Sequence, residues 1–461
     1  MKKTFFILTC LILLLIFLIP SILEEANEYE QGEIIFTDWL SINLLEDVVF
    51  ENERHRQWAT DINQFRNDVF AGHPRFFSTS VFTDIEQLEQ NKEIGFRFNE
   101  SLATLINQVP ELTDFQVKVG LQSSAAMLDD NHFVFGSRTL TDGSFSFWEY
   151  LYKYEYPLYF RWLYDGFYLT NAYEKFEKAL NHKLVAINGS YDFSEQIISV
   201  LGAENIYNAR NFTADSLNAA NILRAIGKEQ PIVYTFVNDG GEFFSISVDT
   251  YYTREERASI NIIDNRAYGD LPKFYQNSHE SMWFTLIEDK GILYIRVRRF
   301  PGGTGAWMEL RRFIADIDKD DIKATIVDVR NNLGGSPDKF SFYVALKEIT
   351  PPDMLFNFIN EGSFSMSLHS ALQLESLGAK VVGMPSGQNI NFFSSGILLH
   401  TLYYSGYQFE LGQEFLNNQL RFRIESEDNI FRPHVHIDYT IDDWINNRDP
   451  LFEYVVSSLE G

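Results

Sequence analysis

The sequence predicts a mixed α/β (α+β) protein built around an open α/β core. Three observations support this fold class. Between residues 292 and 383, short apolar runs typical of buried strands alternate with stretches of helical pattern. Residues 39–127 have a mainly helical pattern with few glycines, and residues 156–252 hold short β-like runs around one helical stretch. We therefore expect three structural regions in this order along the chain.

Each region is predicted from its own elements. In the first region the helices fall at residues 53–70 and 98–108. In the second the strands fall at residues 158–163, 184–187, 232–236 and 243–248, and the helix at 213–226. In the core the strands fall at residues 292–297, 324–329, 354–359 and 380–383, and the helices at 307–317, 338–346, 367–377 and near 449–459. The predicted domains are a mainly helical region at 24–150, a β module at 155–255 and a core at 280–461, with a polar linker at 253–280.

Charge and cysteine content exclude several classes of partner. The chain has 64 acidic and 38 basic residues, a formal net charge of −26, which repels phosphate backbones, so nucleic acid is excluded as a partner. The single cysteine, Cys10, excludes an intramolecular disulfide framework and a cysteine-based zinc site. The 45% hydrophobic and 22% charged residues are ordinary for a globular protein, so wholesale disorder is excluded as well.

The first 23 residues predict a membrane segment. Residues 4–23 carry no charge, and as a helix they would span about 30 Å, the thickness of a bilayer core. Lysines precede this run and Glu24 and Glu25 follow it, which places the N-terminus inside and the body outside the cytoplasm. We expect segment 1–23 to be an uncleaved single-pass anchor in the cell membrane. The alternative is a cleaved signal peptide and a secreted body.

Two turns at the ends of predicted core strands are candidate sites. The strand at 324–329 runs into a polar turn with Gly334 and Gly335, where a backbone can approach a ligand closely and aim N–H groups at an anion. The strand at 354–359 runs into a serine-rich turn whose middle serine is Ser365. A hydroxyl near a helix N-terminus suits a nucleophile, since the dipole favours developing negative charge. The alternatives are a plain strand-to-helix turn and a helix-capping serine.

Histidines provide the candidate bases and metal ligands. His132 lies between a predicted helix and a strand-like run, and an imidazole is suited to general base catalysis because its reference pKa is about 6.5. The alternative is a histidine with a structural hydrogen bond. His434 and His436 share one face of a strand, as half of a metal site would, but the sequence offers no third ligand. We therefore predict no metal.

Taken in order, these segments resemble the tail-specific, or C-terminal processing, serine peptidase superfamily, and within it the tricorn-core branch. The segments that carry the resemblance are residues 56–77, 128–132 (Leu-Asp-Asp-Asn-His), 183–189, 294–300, 328–335 (Asp-Val-Arg-Asn-Asn-Leu-Gly-Gly), 363–367 (Ser-Phe-Ser-Met-Ser) and 382–387. The resemblance implies a crotonase-like core, a PDZ-like module at 155–255 that binds an extended peptide, and hydrolysis of peptides or protein tails without a metal or organic cofactor.

The resemblance also implies roles for individual residues. Ser365 matches the family nucleophile and His132 the histidine of its Asp-Gly-His element. The Ser–Lys dyad of the tail-specific branch is not expected here, because residues 385–393 contain no lysine. A supporting glutamate is expected among Glu425 and Glu427, and we favour Glu427. The oxyanion hole is expected from the backbone N–H groups of Gly334 or Gly335 and of Met366.

Two other classes of protein remain open from the sequence. Asn131 replaces the family glycine, and Met366 and Leu368 stand beside the nucleophile where small or acidic residues are usual. Such changes suit a catalytically silent protein that binds peptides or other ligands on the same scaffold. A structural cell-surface domain is the third possibility, for which only the predicted anchor and the acidity argue.

Overall fold

The structure, a computed structural model, describes residues 43–46, 48–50, 52–77, 85–135, 147–267, 269, 271–336 and 340–460. The described residues form two compact units, one within Met1–Pro110 together with Leu402–Gly406 and the other within Glu111–Thr401 together with Tyr407–Gly461. The predicted anchor at residues 1–23 lies outside the described residues. Within the described ranges, no helix is both long enough and apolar enough to cross a membrane.

The first unit is helical, as the sequence predicts. Its helices are α1 (Glu53–Gly72), α2 (Pro74–Phe77) and α3 (Ile85–Gln108). Phe65 and Phe70 of α1 pack edge-to-face on Phe98 of α3, with ring centroids 5.8 and 5.6 Å away. The buried carboxylate of Asp61 accepts hydrogen bonds from the backbone of residues 404 and 405, at 2.9 and 2.7 Å, so α1 holds the returning segment of this unit.

The second unit opens with a helix and a short strand. Its first elements are α4 (Asp114–Ala126), β1 (Val134–Phe135) and α5 (Phe147–Leu151). Thr113 and Gln116 form a capping box that begins α4. Helix α4 belongs to this unit and not with α1–α3. The short turn between α4 and β1 carries His132.

An antiparallel sheet, a separate two-stranded sheet and four α-helices form the β module. Its elements are β2 (Tyr154–Glu155), β3 (Leu158–Leu163), β4 (Gly166–Tyr173), β5 (Lys183–Ile187), α6 (Phe193–Leu201), α7 (Ile206–Ser216), α8 (Ala220–Ala225), β6 (Ile232–Val237), β7 (Phe243–Val248), β8 (Tyr252–Thr253), α9 (Arg254–Arg257) and β9 (Ile262–Ile263). The strand order is β3-β4-β5-β6-β7, and β9 also pairs with β4. The four predicted strands are confirmed. The single helix predicted at 213–226 is wrong: α7 and α8 are separate helices. The predicted linker supplies β9 to this sheet.

The core is a mostly parallel sheet covered by helices. Its elements are β10 (Met282–Ile287), β11 (Ile292–Val297), α10 (Gly305–Ala315), β12 (Ala324–Asp328), α11 (Phe340–Ile349), β13 (Leu355–Ile359), α12 (Met366–Ser376), β14 (Lys380–Gly383), β15 (Phe392–Thr401), β16 (Gln408–Leu416), α13 (Asn418–Phe422), β17 (Val435–His436), α14 (Ile441–Ile445) and α15 (Pro450–Glu460). The sheet order is β10-β11-β12-β13-β14-β17. Each pair of neighbours from β11 along this order is parallel. The predicted alternation of strands and helices is confirmed.

Both faces of this sheet are apolar, as a covered parallel sheet requires. On one face, residues such as Leu293 and Val327 pack with helices α10, α11 and α12. On the other face, residues such as Ile326 and Phe358 pack with Leu451 of α15. Burial on both sides explains why the core strands are continuous apolar runs in the sequence.

The sheet brings three loops to one edge. Strands β12, β13 and β14 are parallel, so the loops after Asp328, Ile359 and Gly383 leave from the same carboxyl edge. Strand β1 pairs with β16, which also pairs with β15. This second sheet holds the chain just after His132 to the hairpin that follows the core.

Candidate active site

Hydrogen bonds join the loop after β13 to the end of β12. The carbonyl of Val329 accepts hydrogen bonds from the hydroxyls of Ser363, at 3.0 Å, and Ser367, at 3.2 Å. The N–H of Phe364 donates to the carbonyl of Asn332 at 2.9 Å. Two of the three serines of this turn are therefore structural, and the middle serine, Ser365, is the one left facing the cavity described below.

Ser365 has a conformation that non-glycine residues rarely adopt. Its φ of 57° and ψ of −122° lie outside the common regions, immediately before α12. Such backbone strain costs about 1–3 kcal/mol and clusters at functional sites. The Ser365 side chain makes no capping hydrogen bond to α12. The hydroxyl of Ser365 therefore does not cap this helix.

Gly334 lies against Ser365 so closely that no side chain fits between them. A Cβ on Gly334 would lie 2.7 Å from Ser365 Cβ and 3.0 Å from the backbone nitrogen of Met366. Gly334 also has a φ of +98°. The glycine-rich turn after β12 and the start of α12 thus form one wall around the hydroxyl.

His132 reaches Ser365 from 233 positions away in the sequence. Its Nε2 lies 3.1 Å from Ser365 Oγ. The imidazole is buried and stacks between Phe364 and Phe392, with ring centroids 4.9 and 5.5 Å away. Its backbone N–H donates to Asp130 Oδ1 at 2.8 Å, which fixes the turn before β1. The structure therefore brings together the predicted nucleophile and the predicted base.

A glutamine and a glutamate that the sequence did not indicate complete this cluster. The Nε2 of Gln388 lies 3.4 Å from His132 Nδ1 and 3.4 Å from Glu204 Oε1, and its Oε1 accepts the N–H of Ser365. Glu204 comes from the β module, in the short link between α6 and α7. Gln388 directly follows segment 382–387, which resembles a family motif. Its proximity to this motif is the one feature of the sequence that could have indicated a place in the site. Nothing in the sequence around Glu204 predicts its place.

Glu204 and Glu361 are carboxyl groups with raised pKa values at this site. Burial and the charge of Asp130 raise the pKa of Glu204 to about 8, although hydrogen bonds from the backbone N–H groups of Asn389 and Asn131 lower it. Burial likewise raises the pKa of Glu361 to about 7. Perturbed carboxyl groups beside a serine–histidine pair are typical of active sites.

One group in the described part of the chain has metal-ligand chemistry. Asp130, His132 and Glu204 each have a ligand atom within 4.8 Å of the other two. Backbone N–H groups donate to both carboxylates, which accounts for their positions without a metal. His434 and His436, the other metal candidates, lie beside different carboxylates, Glu375 at 3.4 Å and Asp438 at 3.1 Å.

Two other predicted residues do not take the places expected of them. Glu427 is exposed and lines a depression with Glu375 and Phe431. Among the described residues, the carboxylates that lie beside His132 include those of Asp130 and Glu204. The N–H of Gly334 donates to Asn332 Oδ1 at 2.7 Å, so it is occupied. The N–H groups of Gly335 and Met366 make no hydrogen bond among the described residues, and they remain candidates for binding an anion.

The serine–histidine pair opens into a cavity of about 670 Å³. Its lining includes His132, Ser365, Gly334, Gly335, Arg298 and Arg299. A second cavity of about 470 Å³ shares Asn331, Leu333 and Glu361 with the first. The two cavities therefore adjoin each other, and Ser365 lines the larger of these two.

Comparison with known proteins finds similarity in one stretch of the sequence and in the fold. Residues 291–347, from β11 into α11, match the family model of peptidase family S41. The fold is similar to that of mature CPAF, at 12% identity and a TM-score of 0.56 over 88% of this chain and 97% of that chain. CPAF complexed with lactacystin is 12% identical, with a TM-score of 0.55 over 88% of this chain and 98% of that chain. The tricorn protease is 14% identical, with a TM-score of 0.44 over 88% of this chain and 37% of that chain. No curated protein matches the sequence.

The partial family match and the fold point to the same class of protein. The family match at residues 291–347 and the similar fold support the resemblance to the tail-specific, or S41, serine peptidase superfamily that its motifs indicate. The protein is a serine-type peptidase of mixed α/β fold.

Proposed function

We propose that the protein hydrolyses peptide bonds of peptides or protein tails through an acyl-enzyme, with Ser365 as nucleophile and His132 as base. The observation that carries this proposal is the 3.1 Å approach of His132 Nε2 to a strained Ser365 in a cavity. A nucleophile and its base must lie within hydrogen-bond reach, and these two do.

In the proposed reaction Ser365 Oγ attacks the carbonyl carbon and its proton passes to His132 Nε2. The C–N bond then breaks, and the imidazolium returns the proton to the leaving amine. Water repeats the step on the ester, which releases the acid and restores the serine. The N–H groups of Gly335 and Met366 would donate to the oxyanion, and losing one such donor typically lowers the rate about 100–1,000-fold.

Substrate binding by strand addition is part of the proposal. Strand β7 lies at the end of the module's strand order, and its Phe243 is 66% exposed. An extended peptide can pair with such an edge through its backbone. Because the module also supplies Glu204, a peptide bound there would sit on the same unit as the catalytic pair.

We place the catalytic body outside the cytoplasm, anchored by residues 1–23. The support is the uncharged run at residues 4–23 with lysines before it and glutamates after it. Protease added to intact cells should then digest the body, and protection of the body would contradict this orientation. A body recovered from the medium without residues 1–23 would show that the segment is a cleaved signal.

Cleavage by the purified protein tests the activity. Incubation with a mixture of unfolded protein substrates should give new peptide termini by mass spectrometry, and Ser365→Ala should give none. Ser376→Ala is a matched control, because its hydroxyl donates only to the carbonyl of Gln373 at the far end of α12. Cleavage that persists in Ser365→Ala would overturn the proposal. Peptide binding without cleavage would favour the silent binding protein.

A further inference from the structure

We infer that Gln388 is a positioning residue that holds neutral His132 in the tautomer unable to act as a base. The amide does this by donating to His132 Nδ1, so that the ring hydrogen stays on Nε2, next to Ser365. The inference rests on the proposed function, since it concerns regulation of the same serine–histidine pair.

The backbone of Ser365 sets which end of the Gln388 amide faces which neighbour. The Ser365 N–H is always a donor, so the amide atom it contacts has to be the oxygen, Oε1. The NH₂ end of the amide is then left on the side of His132 and Glu204. Asparagine and glutamine orientations follow from such fixed neighbours.

Glu204 lies on the other side of the amide, where it accepts a hydrogen bond from Gln388 in the same orientation. The Nε2 of Gln388 lies 3.4 Å from Glu204 Oε1, which also accepts the N–H of Asn131 at 3.3 Å. Glu204 Oε2 accepts the N–H of Asn389 at 2.9 Å, and the Nδ2 of Asn389 donates to the Glu204 carbonyl at 3.1 Å. A flipped Gln388 amide would bring its NH₂ group against the N–H of Ser365, two donors facing each other.

The orientation of the amide decides the tautomer of the imidazole. In neutral imidazole one nitrogen is a donor and the other an acceptor. Because the Gln388 NH₂ group faces His132 Nδ1 at 3.4 Å, Nδ1 has to be the acceptor and Nε2 carries the hydrogen. The Nε2–H then donates to Ser365 Oγ at 3.1 Å, where a general base would need a lone pair.

An amide in this place attenuates catalysis. In Ser–His–Asp triads, replacing the carboxylate next to the histidine by an amide lowers kcat about 10⁴-fold because the tautomer is wrong. The contact between Gln388 Nε2 and His132 Nδ1 is long. One neutral hydrogen bond contributes only about 1 kcal/mol net, which corresponds to a roughly five- to tenfold change in rate. The amide therefore lowers the rate of the reaction but does not abolish it. Rotation of the Gln388 side chain away from His132 Nδ1 would allow the other tautomer to form.

Gln388→Glu tests the inference directly. The new carboxylate can accept both the Ser365 N–H and an Nδ1–H of His132, as the supporting acid of a triad does. Next to it, Glu204 can donate a hydrogen bond, since its pKa is raised to about 8. We expect the variant to hold His132 in the Nδ1–H tautomer and to raise kcat at least about tenfold, because the carboxylate also stabilises the imidazolium.

The tautomer is read by nitrogen NMR of protein with ¹⁵N-histidine at pH 7.5, where protonated and unprotonated ring nitrogens resonate in separate ranges. His132→Ala assigns the signals. The matched control is Gln373→Glu, because Gln373 faces His369 Nδ1 at 3.0 Å in an equivalent pair on α12. This control should leave the His132 signals and kcat unchanged.

Each outcome decides one question. Nε2–H in the wild type and Nδ1–H in Gln388→Glu support the inference. Nδ1–H in the wild type, or the same tautomer in both proteins, overturns it, and the wild-type spectrum alone suffices if the variant does not fold. An unchanged or lower kcat in a folded variant with the new tautomer also overturns the attenuation. If neither protein cleaves peptides, the proposed function fails, while the NMR result still decides the tautomer.

Discussion

At the scale of single residues, Ser365 and Gly334 share one tight corner of the molecule. Ser365 is strained at a φ of 57°, and Gly334 has a φ of +98° with its Cα facing the serine. Strain of this kind persists only where the surrounding structure over-determines it. Here the hydrogen bonds from Ser363 and Ser367 to the carbonyl of Val329 provide that support.

Gly334→Ala should lower kcat by at least about 100-fold, since its Cβ would lie 2.7 Å from Ser365 Cβ and would displace the hydroxyl. Gly303→Ala is the control: its φ is also positive, at +74°, but a Cβ there meets nothing within 4 Å. Both variants carry the conformational cost, and Gly334→Ala alone has the clash. Steady-state kinetics and urea unfolding of the two variants separate the effects. Equal kcat values in both would show that the close approach does not matter.

Ser365→Ala and His132→Ala should each lower kcat at least about 100-fold, and the double variant should be no worse than the poorer single one. The reason is that the two side chains act as one unit through the 3.1 Å contact. A double-mutant cycle in kcat measures this. Losses that multiply in the double variant would mean that His132 and Ser365 contribute independently.

The sequence predicted the serine and the histidine because both stand in short motifs with a chemical requirement. It could not predict Glu204, whose position depends on how the link between α6 and α7 meets Asn389, 185 positions later. Glu427 was favoured from its proximity in sequence to the last core strand. In the folded chain that segment is exposed, so sequence proximity was a poor guide to three-dimensional proximity.

At the scale of elements, an ion network joins the C-terminal helix to the central strand. Arg330, just after β12, is buried between Asp328 and Asp449, with contacts of 2.6 and 2.8 Å. Asp449 directly precedes α15, whose Leu451 covers one face of the sheet. The network thus fixes both the covering helix and the turn that leads to Gly334.

Asp449→Ala should lower the free energy of unfolding by about 3–5 kcal/mol, because it leaves a buried guanidinium without one of its partners. Glu453→Ala, in the same helix, removes an exposed partner of Arg448 and should cost about 0–1 kcal/mol. Urea unfolding of both variants gives the comparison. Equal losses would mean that the buried network adds nothing beyond a surface ion pair.

Elements were predictable where burial makes the pattern simple. The core strands β11, β12, β13 and β14 are covered on both faces, so each is an apolar run between turns. Strand β4 mixes polar and apolar residues, and it was missed. The break between α7 and α8 was missed because residues 213–226 look continuously helical, whereas Tyr234 Oη donates to the carbonyl of Leu217 and holds the chain between the two helices.

At the scale of the whole molecule, buried carboxyl groups make stability depend on pH. Burial raises the pKa of Glu361 from an ordinary value of 4.5 to about 7. Between these values the folded protein holds a proton that the unfolded chain releases, so this contribution to stability is full below about pH 4.5 and is lost as pH rises through about 7.

Glu361→Gln should remove this dependence. The wild type should lose more unfolding free energy than the variant between pH 4.5 and pH 7.5, by on the order of 3 kcal/mol. Urea unfolding at the two pH values measures it, with the exposed Glu453→Gln as control. A variant that loses as much stability as the wild type would show that Glu361 ionises normally in the folded protein.

The central claim is that the second unit carries a serine nucleophile activated by His132. Covalent labelling by a fluorophosphonate, mapped by mass spectrometry, tests it most directly because it needs no knowledge of the substrate. We predict a single adduct on Ser365, no adduct in Ser365→Ala and slower labelling in His132→Ala. Labelling that survives Ser365→Ala, or that proceeds in His132→Ala at the wild-type rate, would contradict the account.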